Sequence, residues 1–357
     1  MGIKEYLKIM VDQGASDMFY RAGTGVHMRI NGEVVAVDEK VVSLDEVNDA
    51  VKELTSEGLR DFFQKNLDVD FGLYLSELDH RFRISIFIQR NWPSLIIRNV
   101  RSDIQTFEAL NLPGETLQQL SMETRGLVLL TGTMGSGKST TIASMIEYIN
   151  NNKQKHILTV EEPIEFTFKD KKCIINQREL GIDVASYAVA MRSFTLHSPD
   201  VIFIGNIRDY ETMSAAITAA ETGVLVLSTL HTVNASQSIE RIINFFPPYQ
   251  HQEVRNQLSS ILKGVISQRL IPRSDEKGRI PAYEALLLTP TISRLIRENK
   301  ICEIPQFIEE GGVFGMLSFN QSLVKLVKEK KISREEAEKF SDNKEEFILS
   351  LKGIKKY

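Results

Sequence analysis

The first hundred residues alternate between two patterns of hydrophobic and polar positions. Apolar residues recur at helical spacing over Ile3–Val11, which stops at Gly14, and over Leu44–Asn66. Other segments alternate between apolar and polar residues with a period of two: Val26–Val37, Arg81–Arg90 and Ser94–Val100. Such alternation predicts half-buried strands, and the Asn31-Gly32 pair inside the first segment is typical of a hairpin turn. The pattern therefore predicts an α+β domain built on an antiparallel sheet.

The pattern changes at Gly126, where short apolar runs begin to alternate with helical stretches. The runs are GLVLLTG, HILTVEE, DVIFIG and VLVLSTLHT. Buried strands that alternate with helices are typical of a doubly wound α/β core. Further along, the chain is helical and polar, and LVKLVKEKKISREEAEKF is predicted to form a pair of solvated, charged helices. We therefore predict an N-terminal domain at 1–100, a linker at 101–123, a core at 124–285 and a helical region at 286–357.

Composition narrows the class of protein. The chain has 357 residues, 42% hydrophobic and 25% charged, which is enough for a sizeable core in about two domains. Its net charge of −4 and pI near 6.0 disfavour binding to nucleic acid or to an anionic membrane surface. Cys173 and Cys302 have no CxxC spacing, which disfavours a zinc site or a disulfide. With no signal peptide and no apolar run near the ~20 residues of a membrane span, the sequence favours a cytoplasmic protein.

The most specific motif directly follows the first buried run of the core. Residues 132–139 read GTMGSGKS and match the phosphate-binding pattern GxxxxGK[ST] between a strand and a helix, the context that this motif requires. Its glycines let backbone N–H groups surround phosphates, its lysine reaches the β- and γ-phosphates, and its serine ligates Mg²⁺. We therefore predict that ATP and Mg²⁺ bind to Gly132, Thr133, Met134, Gly135, Ser136, Gly137, Lys138, Ser139 and Thr140.

Polar residues end or follow three other predicted strands of the core. Glu161 and Glu162 end the run HILTVEE, Asn206 follows DVIFIG, and His231 lies near the end of VLVLSTLHT. In an open parallel sheet, ligands bind at the carboxyl ends of the strands, so these residues are predicted to line one crevice. A nucleotide-hydrolysing site would be expected to carry a carboxylate at the position of Asn206, to order Mg²⁺ or a water. The amide therefore raises the question of how well a nucleotide is hydrolysed here.

Four segments together resemble a known family, and the similarity extends over nearly the whole chain. Gly132–Ser139, Glu161–Phe166, Asp200–Asp209 and Thr229–Thr232 resemble its Walker A, acidic-box, Walker B and histidine-box motifs. Outside the core, GASDMFYRAG, TISRLIRENK and FGMLSFNQSL are similar to its terminal signatures. On these motifs the chain resembles the type II/IV secretion ATPase (GspE) superfamily. Within it, the chain is similar to the PilT/PilU-type ATPases of type IV pilus retraction and twitching motility, and NASQSIERIINFFP is closer to the accessory PilU-type branch.

That resemblance implies a fold, cofactors and partners. It implies an N-terminal PAS-like domain, a RecA-like P-loop ATPase domain and a helical C-terminal tail, assembled as a homo-hexameric ring that uses ATP and Mg²⁺. It also implies a cytoplasmic protein, peripheral at the inner membrane through the pilus machine. The expected partners are the pilus inner-membrane platform protein and a paralogous retraction ATPase, with no nucleic acid.

The resemblance also implies roles for carboxylates and for histidine. Glu161 is expected to polarise the attacking water and to serve with Ser139 as a metal ligand, because a carboxylate can accept the hydrogen bond of that water. Glu162 stands beside it where the family usually has aspartate. His231 is expected to sense the γ-phosphate or a subunit interface, although a histidine at a strand end can also be a satisfied core group.

Arginines of the N-terminal sheet are also implied in catalysis. Arg81, Arg83 and Arg98 lie in strands that match those from which the family contributes arginines to phosphate across the ring. A planar guanidinium stabilises charge that spreads onto the γ-phosphoryl oxygens. The alternative is that these arginines cover an ordinary solvated face of the sheet, where arginine is common.

Three positions depart from the family pattern, and we expect all three to surround one site. Asn206 replaces the glutamate usual in its Walker B turn, Leu196 stands where arginine is common, and Val224 stands where histidine is common. An amide can hydrogen-bond a water but carries no charge and accepts no proton. We therefore expect weakened hydrolysis with nucleotide binding retained.

Two functions remain open at this stage. One is a hexameric ATPase motor component of pilus retraction, and the other is a hydrolysis-deficient nucleotide-binding subunit that docks on an active paralogue. A nucleic-acid translocase is disfavoured by the acidic pI and by the absence of a basic stripe interleaved with aromatic residues.

Overall fold

In the computed structural model, residues 1–30, 32–100, 103–194, 196–275 and 278–354 are described. The chain forms two compact units. The N-terminal unit comprises Met1–Ser102 together with Pro163–Thr167, and the C-terminal unit comprises Asp103–Glu162 and Phe168–Tyr357. The segment predicted as a linker, 101–123, thus belongs to the C-terminal unit from Asp103 onward, while its residues 101 and 102 lie outside the described ranges.

The N-terminal unit packs helices against one antiparallel sheet. Its helices are α1 (Ile3–Asp12), α2 (Leu44–Leu54) and α3 (Glu57–Asn66). Its strands are β1 (Asp17–Arg21), β2 (His27–Ile30), β3 (Glu33–Ala36), β4 (Asp68–Leu75), β5 (His80–Gln89) and β6 (Trp92–Asn99). The strands lie in the order β3-β2-β1-β6-β5-β4, and each described pair of neighbours is antiparallel. The predicted α+β arrangement is present.

The predicted hairpin and the predicted strand alternation are both present in this sheet. β2 and β3 pair with Ile30 opposite Glu33, whereas Asn31 of the predicted turn lies outside the described residues. In β5 the side chains of Phe82, Ile84 and Ile86 are fully buried, while the residues between them are less buried. The period of two in the sequence therefore separates a core face from a more polar face.

The segment Leu44–Asn66, predicted as one helix, forms two. Thr55 adopts an extended backbone, and the Ser56 hydroxyl accepts the Leu59 N–H at 3.4 Å as the N-cap of α3. Serine at this position offers the backbone an alternative to the continuing helix, because its side chain satisfies an N–H that begins a new one. The prediction of a continuous helix was therefore wrong at this Thr-Ser pair.

The C-terminal unit is built on a larger sheet flanked by helices. Its strands are β7 (Gly126–Thr131), β8 (His156–Glu161), β9 (Ile174–Glu179), β10 (Val201–Ile204), β11 (Leu225–Leu230), β12 (Leu262–Pro272) and β13 (Arg279–Leu287). Its helices are α4 (Gly114–Ser121), α5 (Lys138–Asn152), α6 (Tyr187–Phe194), α7 (Tyr210–Glu221), α8 (Ala235–Ile243), α9 (His251–Ile261), α10 (Pro290–Arg297), α11 (Ile304–Glu310), α12 (Phe319–Lys328), α13 (Arg334–Phe340) and α14 (Lys344–Leu351). The two units together make a mixed α/β protein.

Sheet topology places the predicted site residues along one edge. The strand order is β13-β12-β7-β11-β10-β8-β9, with parallel pairing from β12 to β9 and antiparallel pairing between β12 and β13. The four buried runs of the sequence are β7, β8, β10 and β11, and their central residues are wholly buried. Because these strands are parallel, their carboxyl ends meet at the same edge of the sheet.

The C-terminal helices are less solvated than their charge pattern predicts. Leu323 of α12, Ala337 of α13 and Phe347 of α14 are buried in one small apolar cluster with Ile271 and Ile280 of β12 and β13. The charged residues of this segment occupy the outward faces, so the helices are amphipathic rather than wholly solvated. The expectation of a solvated pair was wrong for the inward faces, and residues 355–357 of the predicted helical region lie outside the described ranges.

None of the helices in the part of the chain that the structure describes combines the length and the apolar character that a membrane span requires.

Candidate functional site

The loop between β7 and α5 has a backbone that glycine permits. Gly132, Gly135 and Gly137 have φ values of +141°, +74° and +95°, in the range that L side chains rarely adopt. At Gly132 a Cβ would also lie 2.5 Å from the backbone oxygen of Gln268, too close for any side chain. Gly137 is the N-cap of α5 and has no side chain that could accept a hydrogen bond. The first N–H groups of this helix therefore face the loop without a side-chain acceptor.

Lys138 lies inside this loop. Its side chain is buried, and Nζ donates hydrogen bonds to the carbonyl oxygens of Gly132 at 2.7 Å and Thr133 at 2.9 Å. The Ser136 hydroxyl is also buried and has no hydrogen-bond partner among the described residues. A buried cation, an unpartnered hydroxyl and the positive end of a helix converge here, and phosphate oxygens match all three.

The other predicted loop residues surround this centre. Thr133 and Met134 are exposed, and Met134 is 90% exposed, so these side chains leave the backbone of the loop accessible. Ser139 and Thr140 are half-buried on the first turn of α5. Within the described residues no three His, Cys, Asp or Glu side chains form a metal-binding cluster. A cation held by Ser139 and phosphate oxygens fits this composition, because Mg²⁺ keeps several waters and takes few protein ligands.

Glu161 ends β8 with its carboxylate buried and oriented. Its Oε1 accepts hydrogen bonds from the Thr159 hydroxyl at 2.6 Å and from Gln177 Nε2 at 3.2 Å. Thr159 precedes it on the same strand, whereas Gln177 reaches it from β9. Gln177 could not be predicted from the sequence, because its contact with Glu161 depends on the pairing of β8 with β9 across a long connection. These two donors restrict the rotation of the carboxylate.

Asn206 and His231, which follow β10 and β11, are brought together. Asn206 is buried, and its Nδ2 lies 3.2 Å from His231 Nε2. Burial lowers the pKa of His231, and the positive charges of Lys138 and Arg208 lower it further. A neutral imidazole can accept the amide hydrogen at Nε2, so the charge environment and the hydrogen bond are consistent. The predicted meeting of these strand ends is observed.

Glu162 and Arg208 form an ion pair beside this contact. Arg208 Nη1 lies 3.0 Å from Glu162 Oε2, and both side chains are partly exposed. Glu162 therefore neutralises the arginine that lies near His231. The carboxylate of Glu162 is thus engaged with a protein cation, whereas Oε1 of Glu161 accepts from the neutral groups of Thr159 and Gln177.

The predicted arginines lie in the N-terminal unit, where Arg83 and Arg98 each pair with a carboxylate. Arg83 and Arg98 stand opposite one another on β5 and β6. Arg83 Nε donates to both carboxylate oxygens of Asp70, at 3.0 and 2.9 Å, and Arg98 Nε donates to Asp17 Oδ1 at 2.9 Å. Arg81 lies two residues before Arg83 and so faces the same side of the sheet. These pairs fix the arginines on one face of the sheet.

Two of the departures from the family pattern lie away from this edge. Leu196 is 83% exposed in the segment that leads into β10, and Val224 directly precedes β11. Both are therefore near the amino ends of their strands, opposite to the edge that carries Glu161 and His231. The expectation that all three departures surround one site was wrong in this chain, and Asn206 alone of the three lies at the carboxyl ends.

Comparison with known proteins agrees with this architecture. A family model described as "Type II/IV secretion system protein" matches residues 2–352. The chain belongs to the type II/IV secretion system protein family. Within this family it is 39% identical over 352 residues to "Type IV pilus ATPase PilU" of Pseudomonas aeruginosa, covering 99% of this chain and 92% of that protein. It is 40% identical over 337 residues to "Type IV pilus retractation ATPase PilT" of the same organism, covering 94% and 97%.

A solved structure of this secretion family has the same fold. It is titled "Crystal Structure of the Pilus Retraction Motor PilT and Bound ADP", is 41% identical, and superposes with a TM-score of 0.89 over 97% of this chain and 98% of that one. The resemblance to type IV pilus retraction ATPases of the GspE superfamily, predicted from the motifs, is confirmed.

Proposed function

We propose that this protein binds and hydrolyses ATP as a motor component of type IV pilus retraction. The observation that carries the proposal is the loop Gly132–Thr140, in which three glycines adopt positive φ and the buried ammonium of Lys138 donates to the carbonyl oxygens of Gly132 and Thr133. Phosphate oxygens would take up this ammonium and the Ser136 hydroxyl, and Ser139 would hold Mg²⁺. Mg²⁺, when bound, would neutralise charge on the phosphates. Similarity to proteins titled as pilus ATPases supports the role in retraction.

The finer arrangement belongs to the same proposal. It comprises a PAS-like N-terminal domain and a RecA-like ATPase domain in a homo-hexamer, peripheral at the cytoplasmic side of the inner membrane. The partners would be the pilus inner-membrane platform protein and a paralogous retraction ATPase. The names of the relatives support a role at the pilus, and the bound ADP of the similar structure supports a nucleotide site.

Nucleotide binding is tested by Lys138→Ala. Loss of the main cation that faces the β- and γ-phosphates should abolish binding of ATP in calorimetry. Lys172→Ala, which removes an exposed lysine away from the loop, is the matched control and should bind ATP like the wild type. Equal ATP affinity for Lys138→Ala and the control would refute the assignment of the phosphate loop.

We propose further that Asn206 makes hydrolysis slow. Losing one positioned electrostatic group in such a site typically costs about 10²–10³ in rate, while the Glu161 carboxylate remains. Asn206→Glu should therefore raise steady-state phosphate release at least about tenfold, roughly 1.4 kcal/mol of barrier. Asn206→Gln adds the same methylene without charge and should not. Equal turnover of Asn206→Glu and wild type would show that Asn206 does not limit the chemistry.

The second candidate function is a hydrolysis-deficient accessory subunit on an active paralogue. The amide at Asn206, buried against His231, favours this reading, because neither group supplies a negative charge. Phosphate release by the purified protein separates the two functions. A protein that shows no turnover alone can still assist the active paralogue when it binds nucleotide. If the paralogue turns over ATP equally fast with wild type and with Lys138→Ala, such nucleotide-dependent assistance is excluded as well.

We propose that Arg81, Arg83 and Arg98 act on the nucleotide of a neighbouring subunit. The test is a mixture of two inactive proteins, Arg98→Ala and Lys138→Ala, assembled into mixed rings. Some interfaces in such rings combine an intact Lys138 with an intact arginine from the neighbour, so turnover should exceed that of either protein alone. No recovery in mixed rings would place the arginines on the nucleotide of their own subunit or outside catalysis.

A further inference from the structure

Two buried polar atoms without a partner lie at the carboxyl end of β10. They are Oδ1 of Asn206 and the hydroxyl of Tyr187, and neither has a hydrogen-bond partner among the described residues. Both residues are only 8% exposed. The great majority of buried polar groups in proteins are paired, so two unpaired polar atoms beside one strand end indicate that a ligand binds there.

Gly205 explains how the tyrosine reaches this position. Tyr187 is the first residue of α6, and its hydroxyl lies 3.4 Å from the point that a Cβ of Gly205 would occupy. The Cα of Glu161 lies 3.2 Å from the same point. The phenol therefore passes over Gly205, between the end of β8, which carries Glu161, and the end of β10, which leads into Asn206.

The two orphaned atoms are chemically complementary. The amide nitrogen of Asn206 is engaged with His231 Nε2, which leaves Oδ1 as an acceptor. Burial raises the pKa of Tyr187 above its usual range, and the charges of Glu162 and Glu161 raise it further, while the charge of Arg208 and the nearby backbone N–H of Asn206 oppose the rise. The phenol thus keeps its proton and is a donor. One water molecule can accept from this donor and donate to Oδ1.

We propose that Tyr187 is a positioning residue whose hydroxyl, together with Asn206 Oδ1, holds the water that attacks ATP beside Glu161. This inference rests on the proposed ATP hydrolysis. The water oxygen forms the new bond to the γ-phosphorus as the bond from that phosphorus to the β,γ-bridging oxygen breaks, and ADP leaves with the electron pair. The proton released by the water passes to the Glu161 carboxylate and from there to solvent. Tyr187 and Asn206 remain neutral throughout.

Steady-state kinetics of Tyr187→Phe test the role, because this change removes the hydroxyl alone. Loss of one hydrogen bond to the attacking water should lower kcat about tenfold, with KM for ATP within twofold of wild type. The urea midpoint should not fall, whereas a hydroxyl that merely anchored α6 would lower it. Tyr148→Phe is the matched control, since this half-buried tyrosine packs against Phe107 and should keep wild-type kcat.

A double-mutant cycle tests whether the two atoms act on one water. Asn206→Ala and Tyr187→Phe should each lower kcat, and the double variant should be no slower than the slower single variant. Multiplicative losses would mean that the two residues act independently, and this would overturn the proposal. Unchanged kcat in Tyr187→Phe would overturn it as well.

A structural measurement separates this inference from the proposed function. A crystal structure of the full chain at a resolution that shows ordered solvent should contain a water bonded to both the Tyr187 hydroxyl and Asn206 Oδ1. The same water should be missing from Tyr187→Phe. Absence of this water from the wild type would overturn the inference even if ATP is hydrolysed. A wild-type protein that holds the water but neither binds nor hydrolyses ATP would instead remove the proposed function, and the positioning role of Tyr187 with it.

Discussion

Glu284 should make the stability of the C-terminal unit depend on pH in an unusual direction. This carboxyl is buried on β13, where Oε1 accepts the N–H of Ala235, the first residue of α8, at 2.7 Å. Burial raises the pKa of Glu284 to about 7, although the Ala235 N–H opposes the rise. The perturbation that isolates this group is Glu284→Gln, which keeps an oxygen for the Ala235 N–H but has no proton to lose.

The sign and size follow from the two pKa values. In the unfolded chain the carboxyl has its ordinary pKa of 4.5, whereas in the folded protein the pKa is about 7. Between these pH values the folded state binds the proton of Glu284 more tightly than the unfolded state does. The stability that this protonated carboxyl contributes is therefore lost as pH rises through this window. At about 1.4 kcal/mol per pKa unit, the free energy of unfolding of Glu284→Gln minus that of wild type should increase by roughly 2–3 kcal/mol from pH 5 to pH 8.

The assay is urea unfolding of both proteins at pH 5 and pH 8, followed by far-UV circular dichroism. The single tryptophan, Trp92, lies in the N-terminal unit, so its fluorescence reports a unit that Glu284 does not belong to and serves as an internal control. Glu253→Gln, which changes an exposed carboxylate of α9, is the matched variant. A stability gap between wild type and Glu284→Gln that is the same at both pH values would refute the reasoning.

Three further changes test the packing of the chain. Gly132→Ala should weaken ATP binding more than tenfold in calorimetry, because its Cβ would lie 2.5 Å from a backbone oxygen. Gly135→Ala, whose Cβ would point into open space, should weaken ATP binding less. The reverse ranking would contradict the loop geometry. Arg269→Ala removes the ion pair with Asp342 and the cation–π contact with Phe319. The stability of the C-terminal helices should therefore fall by about 2 kcal/mol, and their proteolysis should be faster. Ser43→Ala removes the capping box of α2 and should lower the stability of the N-terminal unit by about 1 kcal/mol, seen as a shift of the fluorescence-detected urea midpoint; an unchanged midpoint would mean that this cap is not needed.

The parts of the site that sequence predicted are those encoded by contiguous residues. The phosphate loop needs glycines and a lysine at fixed spacing, and a wholly apolar run followed by a polar residue marks a strand end such as that before Asn206. Parallel strands then bring these ends to one edge, whatever the lengths of the connections between them. Hence the sequence predicts that Asn206 and His231 line the same edge of the sheet.

The parts that sequence did not predict depend on approaches between distant segments. Gln177 reaches Glu161 because β9 pairs with β8, and Tyr187 reaches Gly205 because α6 packs over that strand end. Neither residue belongs to a motif, and a tyrosine at the start of an apolar helix is indistinguishable from a core residue. Likewise, Asp17 lies 81 positions before Arg98 in the chain, and the pairing of β1 with β6 joins them.

Lys138 is ordered by its own loop through the carbonyl oxygens of Gly132 and Thr133. Immobilising a lysine side chain costs up to about 2 kcal/mol of rotamer entropy, and here that cost is met before a ligand arrives. A phosphate that binds exchanges acceptors on an ammonium already in place. When the product dissociates, the carbonyl oxygens accept those hydrogen bonds again, and no unpaired buried cation is left to hold it back. Under the proposed function, this preorganisation should favour rapid exchange of ADP for ATP, without a slow rearrangement of the lysine that would set the residence time of the nucleotide.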